Sequence, residues 1–396
     1  MRSRLGKNSQ QWIFDYLIRT TGKTACWELD ALLERLPVEV KSWDMIHKFL
    51  GKKAAREEEF ARKAEEAGHL RTAWDAYNRA TQSYFLAQHT ICEDDNAEKI
   101  RLGQKLQECH EKVRKYNEYP IEKVEIPWGD KTVPALFHLL PEGKKAPCVL
   151  YVPGMDQSKE VFPNIPGTIV RNPFVERGLH VLAIDGPGQG ECNLRKIRVR
   201  PDNHKEAGKA AIDFLMTRPE VDGDKIGLYG VSMGTYWGSH ITAFDNRIKA
   251  TVAAMGNFMM DRPAIFEEAS PRFRLTYKYM AGIEDEDEFD EMVGKMTLRG
   301  IGKQIKNPFL IIAGEFDPLN PLEEADAFFS EIVGPKEMWV MEDDFHSIFA
   351  RGLCNIPMAT VAADWLRDKL DGKYDPNMAK RTLVPLKGMG PYTGNN

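Results

Sequence analysis

The chain has 396 residues, of which 42% are hydrophobic and 29% charged, with a formal net charge of −5 at pH 7. That is more than one small domain needs and suits one large α/β domain with a smaller one attached. The mild acidity and the scatter of Lys and Arg leave no basic face, which excludes nucleic acid as the expected partner and favours a small-molecule substrate.

Residues 1–7 are basic, but no apolar run of the length a secretory signal needs follows them. No segment approaches the apolar length that spans a bilayer. A cytoplasmic protein with no membrane partner is the expectation. Cys26, Cys92, Cys109, Cys148, Cys192 and Cys354 stand apart with no C-x-x-C pair. That argues against a zinc site or a disulfide framework and for reduced, mostly buried thiols. Neither a metal nor a cofactor is expected.

In chain order, residues 1–118 read as a helical module. Trp12, Ile13, Tyr16 and Leu17 recur at helical spacing, Ala73, Tyr77, Ala80, Tyr84 and Leu86 continue it, and Arg56, Glu57, Glu58, Glu59, Arg62 and Lys63 supply a polar face. Residues 73–80 resemble part of a tetratricopeptide repeat, but no second copy follows at that period, so a single helical pair is the better account.

From about Pro120 the texture changes to short β-type runs at 124–128, 133–139, 149–152, 180–184, 226–229, 250–254, 309–312 and 338–341. Helical patterns at 205–215, 234–243, 322–332 and 359–370 alternate with them, the signature of a doubly wound, mostly parallel α/β sheet. The first two runs, joined by Gly129, Asp130 and Lys131, are expected as an antiparallel hairpin at the sheet edge. The core is thus expected in two parts, 119–256 and 307–396. Between them, 257–306 breaks the alternation and is expected as a helical lid over the strand ends. Its acidic run from Glu284 to Glu288 reads as a solvated helix start.

Gly230, Val231, Ser232, Met233 and Gly234 spell G-x-S-x-G between a β-type run and a helical one. A serine between two glycines at a strand-to-helix turn fits the nucleophile elbow, in which the hydroxyl stands clear of a strained backbone. Alone the pentapeptide also fits a Gly-rich turn with an ordinary serine. Two later strand ends decide between the readings. The run from Phe309 to Ile312 leads into G-E-F-D-P, which puts Asp317 at a carboxyl end, and the run at 338–341 leads into Glu342, Asp343, Asp344, Phe345 and His346. The order Ser232, Asp317, His346 is the chain order of such triads. Glu315 is the alternative acid, but the Asp-Pro step leaves Asp317 extended at a loop start. Asp343 and Asp344 are too near His346 in sequence to reach its far nitrogen easily, and His240 lies two turns into the helix after Ser232.

The chemistry requires these types. A serine hydroxyl is a weak nucleophile at neutral pH, so an imidazole must take its proton and return it to the leaving group, while a buried carboxylate fixes the imidazole tautomer. The oxyanion needs two N–H donors: the amide of Met233, after the nucleophile, and one from the loop after the third strand, with Met155 first and Asp156 second. The stretch Asp185-Gly186-Pro187-Gly188-Gln189-Gly190 lacks G-K-[ST] and G-x-G-x-x-G and reads as a structural turn rather than a phosphate loop. Cys192, just beyond it, is expected to be structural.

Across 119–370 these motifs resemble the α/β-hydrolases. P-G-M-D-Q-S-K-E, D-G-P-G-Q-G, G-V-S-M-G, G-E-F-D-P and H-S follow successive strands, and the Lys159–Glu160 pair with a helical N-terminal module is similar to the subgroup of 2,6-dihydroxypseudooxynicotine hydrolase, FrsA-like esterases and Ayg1-type polyketide hydrolases. The resemblance implies a homodimer acting on an aromatic ketone or ester through Ser232, Asp317 and His346. In the nicotine-pathway member a further carboxylate serves C–C cleavage; here Asp261, Glu267 and Glu268 are on offer in the lid and none aligns. The expected reaction is carboxylic ester hydrolysis through an acyl-enzyme, with C–C hydrolysis of an aryl ketone, β-diketone or polyketide as the alternative. Met155, Asp156, Trp237, Phe258, Met259 and Phe266 are candidates for the substrate pocket, each of which could equally be core.

Overall fold

The computed structural model describes residues 40–155, 157–164, 171–267, 271–346 and 351–387, and these fall into two compact units. One takes the chain as far as Glu122 together with Ser158–Asn172, and the other takes Lys123–Gln157 and everything from Pro173. The chain therefore leaves the first unit, returns to it and leaves again. The sequence reading put 158–172 in the core; in the structure this segment sits with the helices, where Val161 joins their apolar cluster.

The first unit is built on α1 (Ile46–Glu66), α2 (Leu70–His89) and α3 (Ala97–Tyr116). In α1 the buried Ile46, Leu50, Ala54, Ala61 and Ala64 repeat at helical intervals on one face. It ends where Gly68 adopts φ +76° and His69 N–H reaches the Ala64 carbonyl at 2.9 Å. Asn96 caps α3, its Oδ1 accepting from Glu98 N and Lys99 N at 3.0 Å each. Helix α2 packs against both neighbours and buries most of its length, so among the described residues three consecutive helices stand where a pair is expected. The third is hard to read because Leu102, Leu106 and Val113 are its main apolar contacts in a segment otherwise rich in charge. Glu65 ties all three helices: it accepts from Tyr77 Oη at 2.7 Å, from Lys112 Nζ at 2.8 Å and from Tyr116 Oη. These donors hold its carboxyl down to about 2. Trp12, Ile13, Tyr16 and Leu17 lie outside the described residues.

The second unit carries a nine-stranded sheet among the described residues, in the order β1-β2-β4-β3-β5-β6-β7-β8-β9. The strands are β1 (Ile121–Trp128), β2 (Lys131–His138), β3 (Ala146–Val152), β4 (His180–Ile184), β5 (Val221–Val231), β6 (Ile248–Ala254), β7 (Phe309–Gly314), β8 (Lys336–Met341) and β9 (Ala379–Val384). β2 runs antiparallel to β4, and each neighbouring pair from β4–β3 across to β8–β9 is parallel. The two-residue link at Gly129, where φ is +60°, makes β1–β2 the expected edge hairpin. The central strands read as almost continuous apolar runs because both faces are covered. Leu228 meets α6 (Met233–Phe244) at Gly238, while its neighbour Gly227 faces Leu366 and Leu370 of α11 (Met358–Leu370), one strand touching opposite layers through alternate residues. Helices α4 (Gly190–Leu194), α5 (Asn203–Thr217) and α10 (Leu322–Glu331) complete the crossovers.

Between β6 and β7 run α7 (Ala264–Glu267), α8 (Pro271–Ala281) and α9 (Glu286–Val293). Their buried Phe266, Tyr277, Met280 and Phe289 belong to the same apolar cluster as the sheet face. The acidic run starts α9: Asp285 caps it by accepting from Asp287 N and Glu288 N at 2.9 Å each, and Glu286 pairs with Arg274 and Lys278. No described helix is long and apolar enough to cross a membrane.

Candidate active site

Ser232 sits between β5 and α6 with φ 55° and ψ −125°, a conformation that L-residues seldom adopt. The glycines on either side are required by space. A Cβ on Gly230 would lie 2.6 Å from the Gly234 carbonyl oxygen, and one on Gly234 would lie 2.1 Å from the Val152 carbonyl oxygen. Neither obstacle is a side chain that could swing away. The turn is held by Ser232 N donating to Ala254 O at 3.0 Å, and by Thr235, whose N and Oγ1 both donate to Ser232 O, at 2.9 and 2.7 Å. The same Thr235 hydroxyl oxygen accepts from Asn257 N at 2.7 Å, which ties the loop after β6 to the elbow.

Parallel registry brings the other two loops to the same edge, since Val231 pairs with Ala254 and Gly314 with Met341 at the carboxyl ends. His346 follows β8, and its Nε2 lies 3.0 Å from Ser232 Oγ. Its Nδ1 lies 2.7 Å from Asp317 Oδ2. The Asp317 side chain is 2% exposed and that of His346 20%. Asp317 Oδ1 accepts from the amides of Leu319 at 2.8 Å and Asn320 at 3.4 Å, leaving Oδ2 to the imidazole. A carboxylate only accepts, so Nδ1 carries the hydrogen and Nε2 presents a lone pair to the serine hydroxyl.

The alternative acids are occupied. Glu315 Oε2 accepts from Asp343 N at 2.8 Å, so Glu315 pins the loop after β7 to the loop after β8, an attachment repeated by Phe316 N donating to Asp344 O at 2.9 Å. Gly314 makes this approach possible, since a Cβ there would meet the Phe345 carbonyl oxygen at 2.2 Å. Asp343 and Asp344 both pair with Arg351, which also donates its backbone N–H to Asp344 Oδ2 at 3.1 Å.

Comparison with known proteins agrees with this architecture. Residues 208–318 match the family described as BAAT / Acyl-CoA thioester hydrolase C terminal. The α/β hydrolase xenA of Xenoacremonium sinensis is 32% identical over 212 residues, half of this chain and 48% of that protein, so the chain spans about half the length of this relative. The 2,6-dihydropseudooxynicotine hydrolase of Paenarthrobacter nicotinovorans is 25% identical over 293 residues, 72% of this chain and 73% of that one. The crystal structure of the 2,6-dihydroxy-pseudo-oxynicotine hydrolase superposes with a TM-score of 0.73 over 93% of this chain and 98% of its own, at 23% identity. The chain has the α/β-hydrolase fold. It resembles the subgroup that contains that nicotine-pathway hydrolase.

The remaining candidate residues lie in different surroundings. Met233 is the first residue of α6, so its N–H has no partner within the helix. Met155 is buried in the loop after β3, next to Gly154, whose Cβ position lies 3.4 Å from Ser232 Cβ. Trp237 is buried and stacked on His204 with ring centroids 3.7 Å apart. Phe258 stacks on Phe328 at 5.0 Å, and Phe266 packs against Tyr277 at 4.9 Å. Met259 is buried with φ 45°. The packing partners account for Trp237, Phe258 and Phe266 without a ligand. Asp261 is exposed and paired with Arg299, Glu267 is exposed, and Asp156 and Glu268 lie outside the described residues. His240 packs its ring against Tyr236, and burial lowers its pKa to about 4. Cys192 is buried with its thiol 3.2 Å from the Asp185 carbonyl oxygen.

Sequence reasoning missed the residues that hold the loops. Asn320 Oδ1 accepts from Phe258 N at 3.0 Å, and the buried Glu324 accepts from Asp261 N at 3.1 Å, fastening the loop after β6 to the segment after Asp317. Gln157 and Gln189 do the same for the loop after β3. A polar residue close behind a strand end is the only signal for them, and it does not name the partner.

Proposed function

We propose that the protein is a serine hydrolase acting through an acyl-enzyme on a small apolar or aromatic carbonyl substrate, most directly a carboxylic ester. The observation that carries this is the unbroken hydrogen-bonded line from Ser232 Oγ through His346 to Asp317, with separations of 3.0 and 2.7 Å. Ser232 attacks the ester carbonyl while His346 Nε2 takes its proton; the tetrahedral oxyanion is met by the amides of Met233 and Met155; and His346 returns the proton to the departing alkoxide. Water then repeats the sequence on the acyl-enzyme and releases the acid. Asp317 keeps the imidazole in the tautomer this requires and stabilises its charged form. The apolar side chains of Met155 and Met259 support a substrate with little charge near the carbonyl.

C–C hydrolysis of an aryl ketone or β-diketone is the second reading, supported by the similarity to a 2,6-dihydropseudooxynicotine hydrolase across 72% of the chain. It requires protonation of a carbanion, and of the lid carboxylates Asp261 is already paired with Arg299. Turnover of p-nitrophenyl acetate and butyrate beside an aryl 1,3-diketone, with Ser232→Ala as control, separates the two. Ester turnover lost in the variant is expected; diketone cleavage without ester turnover reverses the order, and a parent protein that no fluorophosphonate labels removes the nucleophile. The subgroup resemblance further supports a homodimer in the cytoplasm, which light scattering checks for assembly: the mass of a single chain would exclude the dimer.

A further inference from the structure

Gln189, within the Gly-rich stretch between β4 and α4, is almost wholly buried and uses its whole side-chain amide. Its Oε1 accepts from Gly186 N at 3.1 Å, while its Nε2 donates to Gly154 O at 2.5 Å and to Pro153 O at 3.3 Å. The partners fix which end is which, because an N–H cannot accept and the two carbonyls cannot donate. Gly154 is gripped from its other side as well: its N–H donates to Gln157 Oε1 at 3.2 Å, and that oxygen also accepts from Tyr151 Oη at 2.9 Å. The same short segment presses on the elbow, with Pro153 O 2.6 Å from the Cβ position of Gly234.

The Gly154 carbonyl and the Met155 N–H belong to one peptide plane, and in a trans peptide they point in opposite directions. The donors that hold this carbonyl, Gln189 Nε2 at 2.5 Å and Gln157 N at 3.2 Å, therefore set where the amide points, the shorter bond most strongly. A carbonyl engaged in a hydrogen bond also makes the N–H of its own peptide a stronger donor. We propose that Gln189 is a positioning residue for the oxyanion hole, clamping the Gly154–Met155 peptide by its carbonyl so that the Met155 N–H is aimed and polarised toward the oxygen that becomes negative when Ser232 attacks. This rests on the serine-hydrolase reading. It gives the stretch at 185–190 a role in transition-state binding beyond that of a turn.

The test compares parent, Gln189→Met and Gln189→Glu. The first keeps the length and removes both polar ends; the second keeps the acceptor for Gly186 N and, when ionised, replaces the amide donor by a carboxylate oxygen that faces the Pro153 and Gly154 carbonyls. Each is assayed for p-nitrophenyl butyrate hydrolysis and for inhibition by an aryl trifluoromethyl ketone, which adds to the serine hydroxyl as a tetrahedral oxyanion. Removing a direct oxyanion donor costs about 10²- to 10³-fold, so loss of its positioning is expected to lower kcat about ten- to a hundredfold with KM changed less than about threefold. The ketone Ki is expected to rise by the same factor. Ki does not depend on the fraction of folded enzyme, so a variant that is merely less stable leaves it unchanged. Either variant suffices if the other is insoluble. A Ki within about twofold of the parent, whatever happens to kcat, overturns the role of Gln189. Should Ser232→Ala hydrolyse the ester as the parent does, the serine-hydrolase reading falls. An inactive Ser232→Ala beside Gln189 variants that bind the ketone normally removes the Gln189 proposal alone.

Discussion

Asp317 and Glu315 are two carboxylates on one strand end, and their partners separate their roles. Asp317 spends one oxygen on two amides and the other on His346 Nδ1, whereas Glu315 spends one on the backbone of Asp343. Asp317→Asn keeps the shape but favours the wrong imidazole tautomer, and kcat for ester hydrolysis is expected to fall by about 10³- to 10⁴-fold. Glu315→Gln keeps an acceptor for Asp343 N and is expected to change kcat less than about tenfold; the reverse ranking in steady-state kinetics would assign the acid to Glu315. That Ser232, Asp317 and His346 would come together was legible in the sequence, because each stands just past an apolar run and parallel strands deliver such positions to one edge. Gln189 was not legible as a clamp. Its backbone partners at Pro153 and Gly154 lie a whole crossover earlier in the chain, and local pattern carries no trace of a contact between two loops.

At the scale of elements, every apolar run expected as a strand between 124 and 341 is one; β4 keeps the expected bounds, β2 stops one residue short, and the other ends agree or extend by two to five residues into more polar sequence. β9 escaped because Ala379, Lys380, Arg381 and Leu383 are exposed at the sheet edge, where charge discourages pairing with other chains and erases the apolar signal. The pairing of α5 with α6 has a pH signature. His204 of α5 is stacked on Trp237 of α6, donates from Nε2 to Pro187 O at 2.9 Å, and burial lowers its pKa to about 3. The folded chain keeps this ring neutral while the unfolded chain protonates it near 6.5, so unfolding takes up a proton below that value. The contribution of His204 to stability is therefore intact above pH 6.5 and declines as pH falls toward about 3, by up to about 1.4 kcal/mol per pH unit. Urea unfolding at several pH values between 4 and 7 measures the slope. In His204→Gln it is expected to shrink by about one proton, and an unchanged slope would mean that the ring is charged in the folded protein.

For the molecule as a whole, the decisive feature is that the helical unit owns a segment embedded in the sequence of the sheet unit. Ser158–Asn172 belongs with α1–α3, and Val161, 4% exposed, packs into their apolar cluster. A fragment of residues 123–396 would retain this segment without the helices that bury it, leaving apolar surface uncovered. Such a fragment is expected to bind a hydrophobic dye and to aggregate, whereas the full chain does neither. A fragment that stays monodisperse and silent toward the dye would mean the segment finds other cover. Sequence texture put the boundary near 118 and missed the return, because a short stretch between two strands looks the same whether it serves its own sheet or a neighbouring bundle.

The interleaving also imposes an order on biosynthesis. As the polypeptide emerges from the ribosome, α1–α3 appear before the sheet, yet the last piece of their cluster comes only after β1–β3 have been made. The bundle must wait, incomplete, while those strands, which need later partners from β4 onward, wait as well. The two units are thus bound to mature together, and a pause in translation soon after residue 122 would strand the nascent chain at its stickiest.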